Sequence, residues 1–135
     1  MRVTALAVIR RGDDLLVERG YDRVNGLMFY RLLGGGIEEG ELGAAAVRRE
    51  LREELGIEIE VGRRLATIEN IFTWEGKDWH EIALVYECSL GSAVLPEDEW
   101  KVPDGDVVHE VCWKRVSDFG PAGDTVYPEE LLDLL

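Results

Sequence analysis

Apolar residues form three short runs in the first quarter of the chain. The runs cover residues 3–11, 15–19 and 28–33, and each has the length of a β-strand. Gly12-Asp13-Asp14 separates the first two runs, and such a sequence is typical of a β-hairpin turn. The pattern therefore predicts a hairpin followed by a third strand that stops at Gly34.

The spacing of the apolar residues changes after this point and predicts an amphipathic helix from about Glu41 to Leu55. The positions at helical spacing are Ala44, Val47, Leu51 and Leu55. Gly56 follows directly, and glycine is common just past the end of a helix. Gly43 is unusual, because glycine inside a helix destabilises it by up to about 1 kcal/mol relative to alanine. The pattern leaves open whether the helix starts after Gly43.

Strand patterns return after the helix. Branched, aromatic and alternating residues predict strands in the runs at residues 57–61, 65–74, 80–90 and 110–116. The last eight residues predict a short helix with Pro128 in its first turn. Prolines, glycines and acids between Leu90 and Glu110 predict one long loop, a feature often used as a lid or binding loop.

Composition is typical of one soluble globular domain spanning residues 1–135. The chain is 46% hydrophobic and 32% charged, whereas disordered chains have lower hydrophobicity. Cys88 and Cys112 lie in apolar runs without the spacing of a zinc or redox motif, so we expect them to be buried and reduced. The first apolar run is too short for a membrane helix and lacks a cleavage pattern, so the expected location is the cytoplasm.

The net charge limits the classes of partner. With 15 basic and 28 acidic residues the chain carries a charge of -13, which repels phosphate backbones and anionic membranes. We therefore expect no membrane and no long nucleic acid among its partners. A phosphate-bearing substrate would need metal ions between itself and the protein.

Three glutamates share one face of the predicted helix. Glu50, Glu53 and Glu54 are three and four positions apart, a spacing at which like charges repel by about a few tenths of a kcal/mol per pair. One interpretation is a solvated face on which Arg49 pairs with Glu53. The other is a metal site, because the glycines at 34–36 form a turn whose backbone carbonyls can approach a ligand. Oxygen ligands alone suit Mg²⁺ or Mn²⁺.

The stretch from Gly35 to Ile57 resembles the Nudix box, GX5EX7REUXEEXGU, in which U is an aliphatic residue. Gly35, Glu41 and the run REL-R-EE-L-GI from Arg49 to Ile57 match all of its fixed positions. The resemblance implies a Nudix-type α/β/α sandwich, of the α+β or α/β class, with a mixed β-sheet and a loop-helix-loop catalytic motif. It also implies metal-dependent hydrolysis, at phosphorus, of a nucleoside diphosphate linked to another group.

The resemblance assigns roles by position. The implied metal ligands, which also serve catalysis, are Glu50, Glu53, Glu54 and the backbone carbonyl of Gly34. The implied structural residues are Gly35, Glu41, Arg49 and Gly56, with an ion pair between Glu41 and Arg49. In one departure from many relatives, Leu33 rather than proline precedes the glycines.

The expected mechanism uses two or three Mg²⁺ ions to neutralise the diphosphate and activate a water for in-line attack. A base must accept the proton of that water. Candidates for the base are Glu53 on the helix and Glu110 at the start of a late strand. Glu110 also fits an acid that simply faces solvent.

The box does not select the substrate. Nudix relatives act on damaged nucleoside triphosphates, dinucleoside polyphosphates, nucleotide sugars, ADP-ribose and capped RNA, and the charge of this chain favours a small nucleotide. The candidate substrate-binding residues are Phe72 and Trp74, with Trp79 and Trp100 as further aromatics, and Arg19 and Arg31. The aromatics could stack on a base, pack in the core or form a homodimer interface, and the arginines could bind phosphates or nearby acids.

A non-catalytic Nudix-fold module that binds a nucleotide or ADP-ribose is the alternative function. Such modules usually lack acids of the box, whereas this chain keeps them all. An acidic interaction protein with a fortuitous match to the box is a third, weaker interpretation.

Overall fold

The computed structural model describes residues 1–92, 95 and 98–135. Within these residues the chain forms eight strands, one α-helix and two 3₁₀ segments. In chain order the elements are β1 Arg2–Arg11, β2 Asp14–Asp22, β3 Leu27–Gly36, α1 Gly43–Leu55, β4 Glu60–Trp74, β5 Lys77–Ser89, β6 Glu99–Asp104, β7 Val107–Arg115, a 3₁₀ turn Val116–Asp118, β8 Val126–Tyr127 and a 3₁₀ helix Glu129–Leu134. No helix in the described part of the chain is long and apolar enough to span a bilayer.

The strands form one mixed sheet, as the sequence predicts. Their order is β4-β5-β1-β3-β2-β7-β6, and β8 lies beside β3. β1 pairs in parallel with β5, and β3 pairs in parallel with β8. The other neighbours are antiparallel. The predicted hairpin of β1 and β2 forms, with Arg11 opposite Asp14.

Two apolar clusters fill the two sides of this sheet. On one side α1 buries Val47 and Leu51 completely against residues of β1 and β3. Complete burial of a side chain such as leucine contributes about 1.5 to 3 kcal/mol. On the other side Leu131 of the terminal 3₁₀ helix is fully buried. The predicted terminal helix is thus a 3₁₀ helix, and Pro128 caps it rather than lying in its first turn.

The start of α1 explains the unusual glycine. Gly43 is the first residue of the helix, and a Cβ atom placed on it would overlap the hydroxyl of Tyr86 and come within 3.0 Å of Leu84 Cδ1. Glycine therefore allows the helix to pack closely on β5. At the other end Gly56 is left-handed, with φ of 67°, and its N–H donates to the Arg52 carbonyl at 2.9 Å. The helix ends where the sequence predicts.

The prediction of one long loop between Leu90 and Glu110 is wrong in its second half. β6 and β7 pair antiparallel there, with a turn at Gly105, whose φ is 60°. β6 lies at the edge of the sheet, where Pro103 is tolerated because an edge strand needs fewer ladder hydrogen bonds. Exposed Val107 and Val108 give the beginning of β7 no alternating pattern. Residues 93–94 and 96–97 of the predicted loop lie outside the described residues.

Both cysteines are buried and free, as predicted. Burial raises the pKa of the Cys88 thiol to about 12. It also raises the pKa of Cys112. Both groups therefore stay protonated at neutral pH, and a protonated thiol is a poor nucleophile and metal ligand.

Candidate active site

A cavity of about 500 Å³ collects most of the residues that the sequence singled out. Its wall contains side chains from α1, the glycines at the end of β3, and residues of β2, β4 and β7. Ligand pockets for small molecules commonly have about this size. The predicted acids and the predicted aromatics therefore face a common space.

The acids of α1 converge on this cavity. Glu50, Glu53 and Glu54 all line it. Glu54 is buried, with 8% of its surface exposed, and its Oε2 has no hydrogen-bond partner among the described residues. Burial, followed by the charge of Glu18, raises the pKa of Glu54 to about 8. A cation beside this carboxylate would stabilise its ionised form.

The glycine loop lies against the same acids. A Cβ atom on Gly35 would overlap the carboxylate of Glu50, with Oε1 only 2.6 Å away. Gly34 has a φ of 144°, and a Cβ there would overlap the Ala5 carbonyl. Glycine at position 35 lets the backbone approach Glu50 of the helix, and glycine at position 34 lets the loop pack closely on β1.

Arg49 links the helix to the glycine loop. Its Nε and Nη2 donate to the two carboxylate oxygens of Glu41 at 2.9 and 3.0 Å, and Nη2 also donates to the Gly36 carbonyl at 3.0 Å. The Arg49 side chain is the main cause that lowers the pKa of Glu41. This is the ion pair that the resemblance implies. Arg49 Nη1 also contacts Glu50 at 3.1 Å and Glu53 at 3.4 Å.

These residues fit a hard divalent cation by their chemistry. The buried, unpartnered oxygen of Glu54 is a ligand atom that protein groups leave unsatisfied. Within residues 1–92, 95 and 98–135, no three acidic, histidine or cysteine side chains are already clustered to hold a metal. Arg49 contacts Glu50 through Oε1 and lies 3.4 Å from both oxygens of Glu53, so an ion at these carboxylates would share them with the guanidinium.

Of the two predicted arginines, only Arg31 lines the cavity. Its Nη2 lies 3.3 Å from Glu18 Oε1. Arg19 does not line it, because neighbouring residues of β2 point to opposite faces. Arg19 instead pairs with Glu99 at 2.7 Å and lies over the Tyr30 ring.

Glu110 is likewise on the far face. It lies directly opposite Arg19 in the pairing of β2 and β7, so both side chains point away from the cavity. Strand alternation brings the preceding residue, His109, into the cavity instead. There His109 Nδ1 forms a hydrogen bond with Glu18. Sequence reasoning missed the pair of His109 and Glu18, because the two residues meet only through the pairing of β7 with β2.

Aromatic rings form another part of the wall. Phe72, Trp74 and Trp79 all line the cavity, as does Tyr127, which the sequence did not single out. Phe72 stacks on Tyr127 with a centroid separation of 6.1 Å, and Trp74 Nε1 donates to the Tyr21 carbonyl at 2.9 Å. The side chain of Trp100 lies outside the described part of the chain. These contacts hold the predicted aromatics within the fold while leaving part of their surface on the cavity.

Residues 1–135 match the family model for the NUDIX domain. The chain belongs to the Nudix family. This Nudix protein is a pyrophosphohydrolase that acts on a nucleotide-type substrate. The family typically uses a divalent metal. The predictions of fold class and reaction class are confirmed.

Individual relatives of the Nudix chain differ in the activity that they are named for. The CTP pyrophosphohydrolase of Escherichia coli (strain K12) is 29% identical over 105 residues, which cover 72% of this chain and 78% of that protein. The MutT NUDIX hydrolase from Burkholderia pseudomallei has a TM-score of 0.68 and 27% identity, covering 99% of this chain and 97% of that one. An ADP-ribose pyrophosphatase from Streptococcus suis 89-1591 has a TM-score of 0.65 and 17% identity, covering 98% and 87%. This last likeness concerns the fold alone.

Proposed function

We propose that this Nudix hydrolase cleaves a small nucleoside triphosphate, with CTP as the first candidate, using Mg²⁺ or Mn²⁺ bound by the acids of α1. The observation that carries the proposal is the buried carboxylate of Glu54, which has an unsatisfied oxygen in a cavity that aromatic rings also line. The named activity of the Escherichia coli relative supports cytidine as the nucleoside.

The proposed metal ligands are Glu50, Glu53, Glu54 and the backbone carbonyl of Gly34. When bound, the ion supplies neutralisation of the phosphate charges and lowers the pKa of the attacking water. Arg49 positions this set of ligands, because it fixes Glu41 and the Gly36 carbonyl on one side and contacts Glu50 on the other.

Glu53 is the proposed acceptor for the proton of the attacking water. Its side chain is 58% exposed, whereas that of Glu50 is 18% exposed, so Glu53 is the more accessible to a water in the cavity. Glu110 faces the opposite side of the sheet, which leaves Glu53 as the better placed of the two candidates. The reaction breaks one P–O bond of the anhydride and adds water across it.

Arg31 and the aromatic rings are the proposed contacts for the rest of the nucleotide. The Arg31 side chain is 51% exposed, so its guanidinium can donate to phosphate oxygens. Phe72 and Trp74 offer faces for stacking of the base. A cavity of about 500 Å³ suits a nucleotide better than a polymer.

A substrate panel tests the proposal. The purified protein with Mg²⁺ is incubated with the common nucleoside triphosphates, ADP-ribose, nucleotide sugars and dinucleoside polyphosphates, and release of monophosphate and pyrophosphate is followed. We expect CTP to give CMP and pyrophosphate. Tight binding of a nucleotide without product from any compound would instead support the binding module.

Matched variants locate the chemistry. Glu54→Gln removes the buried charge with little change in shape, and we expect turnover to fall by about a hundredfold or more. Glu87→Gln is the control, because Glu87 is an exposed glutamate on β5 that pairs only with Arg63 among the described residues. Equal turnover of the two variants would refute the role of Glu54.

A further inference from the structure

His109 has both ring nitrogens against carboxylates. Nδ1 forms a hydrogen bond with Glu18 Oε1, and Nε2 lies 3.1 Å from Asp104 Oδ2. An ionised carboxylate only accepts hydrogen bonds, and a neutral imidazole has a single N–H to donate. With both carboxylates ionised, both contacts are satisfied together only when His109 is an imidazolium. Two carboxylate contacts on one ring therefore favour a cation at His109 on β7.

A second cation, Arg31, lies near His109 in the cavity wall. His109, Glu18 and Arg31 all line the cavity, and the Glu18 carboxylate lies between the other two, 3.3 Å from Arg31 Nη2. The Glu18 side chain is only 6% exposed, so its partners replace water as its source of hydrogen bonds. One carboxylate thus holds two cations in a protein whose net charge is -13.

The surroundings of His109 favour its charged form. The titratable groups that face it are Glu18 on β2, Asp104 at the end of β6 and Glu54 on α1, with Arg31 on β3 beyond Glu18. Burial lowers the pKa of His109, but the hydrogen bonds to Glu18 and Asp104 outweigh it, and the net direction is upward.

The two carboxylates that contact His109 differ in how firmly they are held. Glu18 is buried, whereas the Asp104 side chain is 72% exposed at the turn between β6 and β7. A side chain with that exposure can move into water with little loss. Another anion in the cavity can therefore take the place of Asp104 at Nε2 while Glu18 keeps hold of Nδ1.

We propose that His109 is a phosphate-binding residue of this site: Glu18 fixes the imidazolium through Nδ1, and a phosphate oxygen of the nucleotide replaces Asp104 at Nε2–H. This inference rests on the proposed function and deepens it. It gives the wall that faces the acids of α1 two donors for phosphate, Arg31 and His109. Glu18 is then a positioning residue that acts through both of them.

Histidine NMR on the full chain tests the proposal directly. The sequence has two histidines, so the imidazole ¹⁵N and ¹³C resonances can be assigned with a single His80→Asn variant. His80 is an internal control, because it also contacts a carboxylate, Glu69 at 2.8 Å, but does not line the cavity. The ligand is a CTP analogue with methylene groups in place of both bridging oxygens, added with Mg²⁺, and its binding is measured separately by calorimetry.

Compared with the protein in Mg²⁺ alone, we expect the analogue to shift the Nε2 resonance of His109 and to raise the pH at which His109 titrates, while His80 is unchanged. Binding of the analogue that leaves the titration and resonances of His109 unchanged would overturn the inference and leave the proposed function intact. Failure of this analogue, CTP and the other nucleotides of the panel to bind would refute the proposed function and this inference with it.

Three variants add a quantitative check. His109→Asn removes one charge-assisted hydrogen bond, and we expect the analogue to bind about ten- to a hundredfold more weakly, with His80→Asn unchanged. Glu18→Gln should lower the pH at which His109 titrates, an effect that a purely structural role of Glu18 in packing does not require. Asp104→Asn should bind the analogue more tightly, and weaker binding would contradict the exchange at Nε2.

Discussion

Replacing Glu54 by glutamine should stabilise the metal-free protein while it lowers turnover by about a hundredfold or more. The pKa of Glu54 is raised from 4.5 to about 8, mainly by burial. Because the folded state holds this proton more tightly than the unfolded state, the stability that protonated Glu54 gives is complete below pH 4.5 and is lost as the pH rises towards 8. Glutamine does not ionise in this pH range, so the free energy of unfolding of the variant does not fall in this way.

The magnitude follows from the pKa values. Each pH unit between the two pKa values reduces the free energy of unfolding by about 1.4 kcal/mol. Between pH 4.5 and pH 7 the wild type therefore loses about 3 kcal/mol through Glu54, a large part of the stability of a small domain. Glu54→Gln should exceed the wild type at pH 7 by up to this amount and match it near pH 4.5.

Urea denaturation after treatment with EDTA, at a series of pH values from 4.5 to 8, measures this difference. Glu87→Gln serves as the control and should follow the wild type. Adding Mg²⁺ should narrow the difference, because an ion that binds only the folded wild type stabilises it by mass action. Parallel curves for wild type and Glu54→Gln between pH 5 and 8 would refute the reasoning, since they would mean that Glu54 is ionised in the metal-free fold without penalty.

Three further predictions concern packing and reactivity. Gly43→Ala should destabilise the protein by about 1 kcal/mol or more in thermal unfolding, despite the better helix propensity of alanine, because its Cβ meets the Tyr86 hydroxyl. Adding Tyr86→Phe to this variant should recover most of the loss, whereas a Gly43→Ala protein more stable than the wild type would contradict the contact. Gly35→Ala should lower kcat by about a hundredfold, because its Cβ displaces the Glu50 carboxylate. The circular dichroism spectrum should be unchanged, and normal turnover would disprove this steric argument. Cys88 should resist labelling by iodoacetamide at pH 8 until urea unfolds the chain, because burial raises the pKa of its thiol to about 12. Mass spectrometry follows the labelling, and rapid labelling of the native protein would contradict the burial of Cys88.

The geometry of the box was the most predictable part of the site, because it depends on local spacing. The spacing of Glu50, Glu53 and Glu54 fixes their common face once the segment is a helix. Gly56 stops that helix as expected, and Arg49 reaches Glu41 across a short loop. None of these features requires knowledge of which strands are neighbours.

The opposite wall could not be predicted in this way. Val111 and Cys112 are both buried, so β7 has apolar residues on both faces and its sequence does not show which face meets the cavity. The choice between His109 and Glu110 depends on the pairing with β2. The same holds for Arg19 and Arg31, which lie on different strands and end on different sides of the sheet.

The contacts of Arg49 have a consequence for the order in which the site is assembled. Its guanidinium compensates the charges of Glu50 and Glu53 in the chain alone, so α1 and the glycine loop can fold before any ion arrives. A cation at the proposed metal ligands would then compete with an internal positive charge, which would weaken its binding relative to what the number of acids suggests. The ion should therefore exchange readily with solvent and be held firmly only when phosphate oxygens complete its coordination, so that metal and nucleotide bind together and leave together.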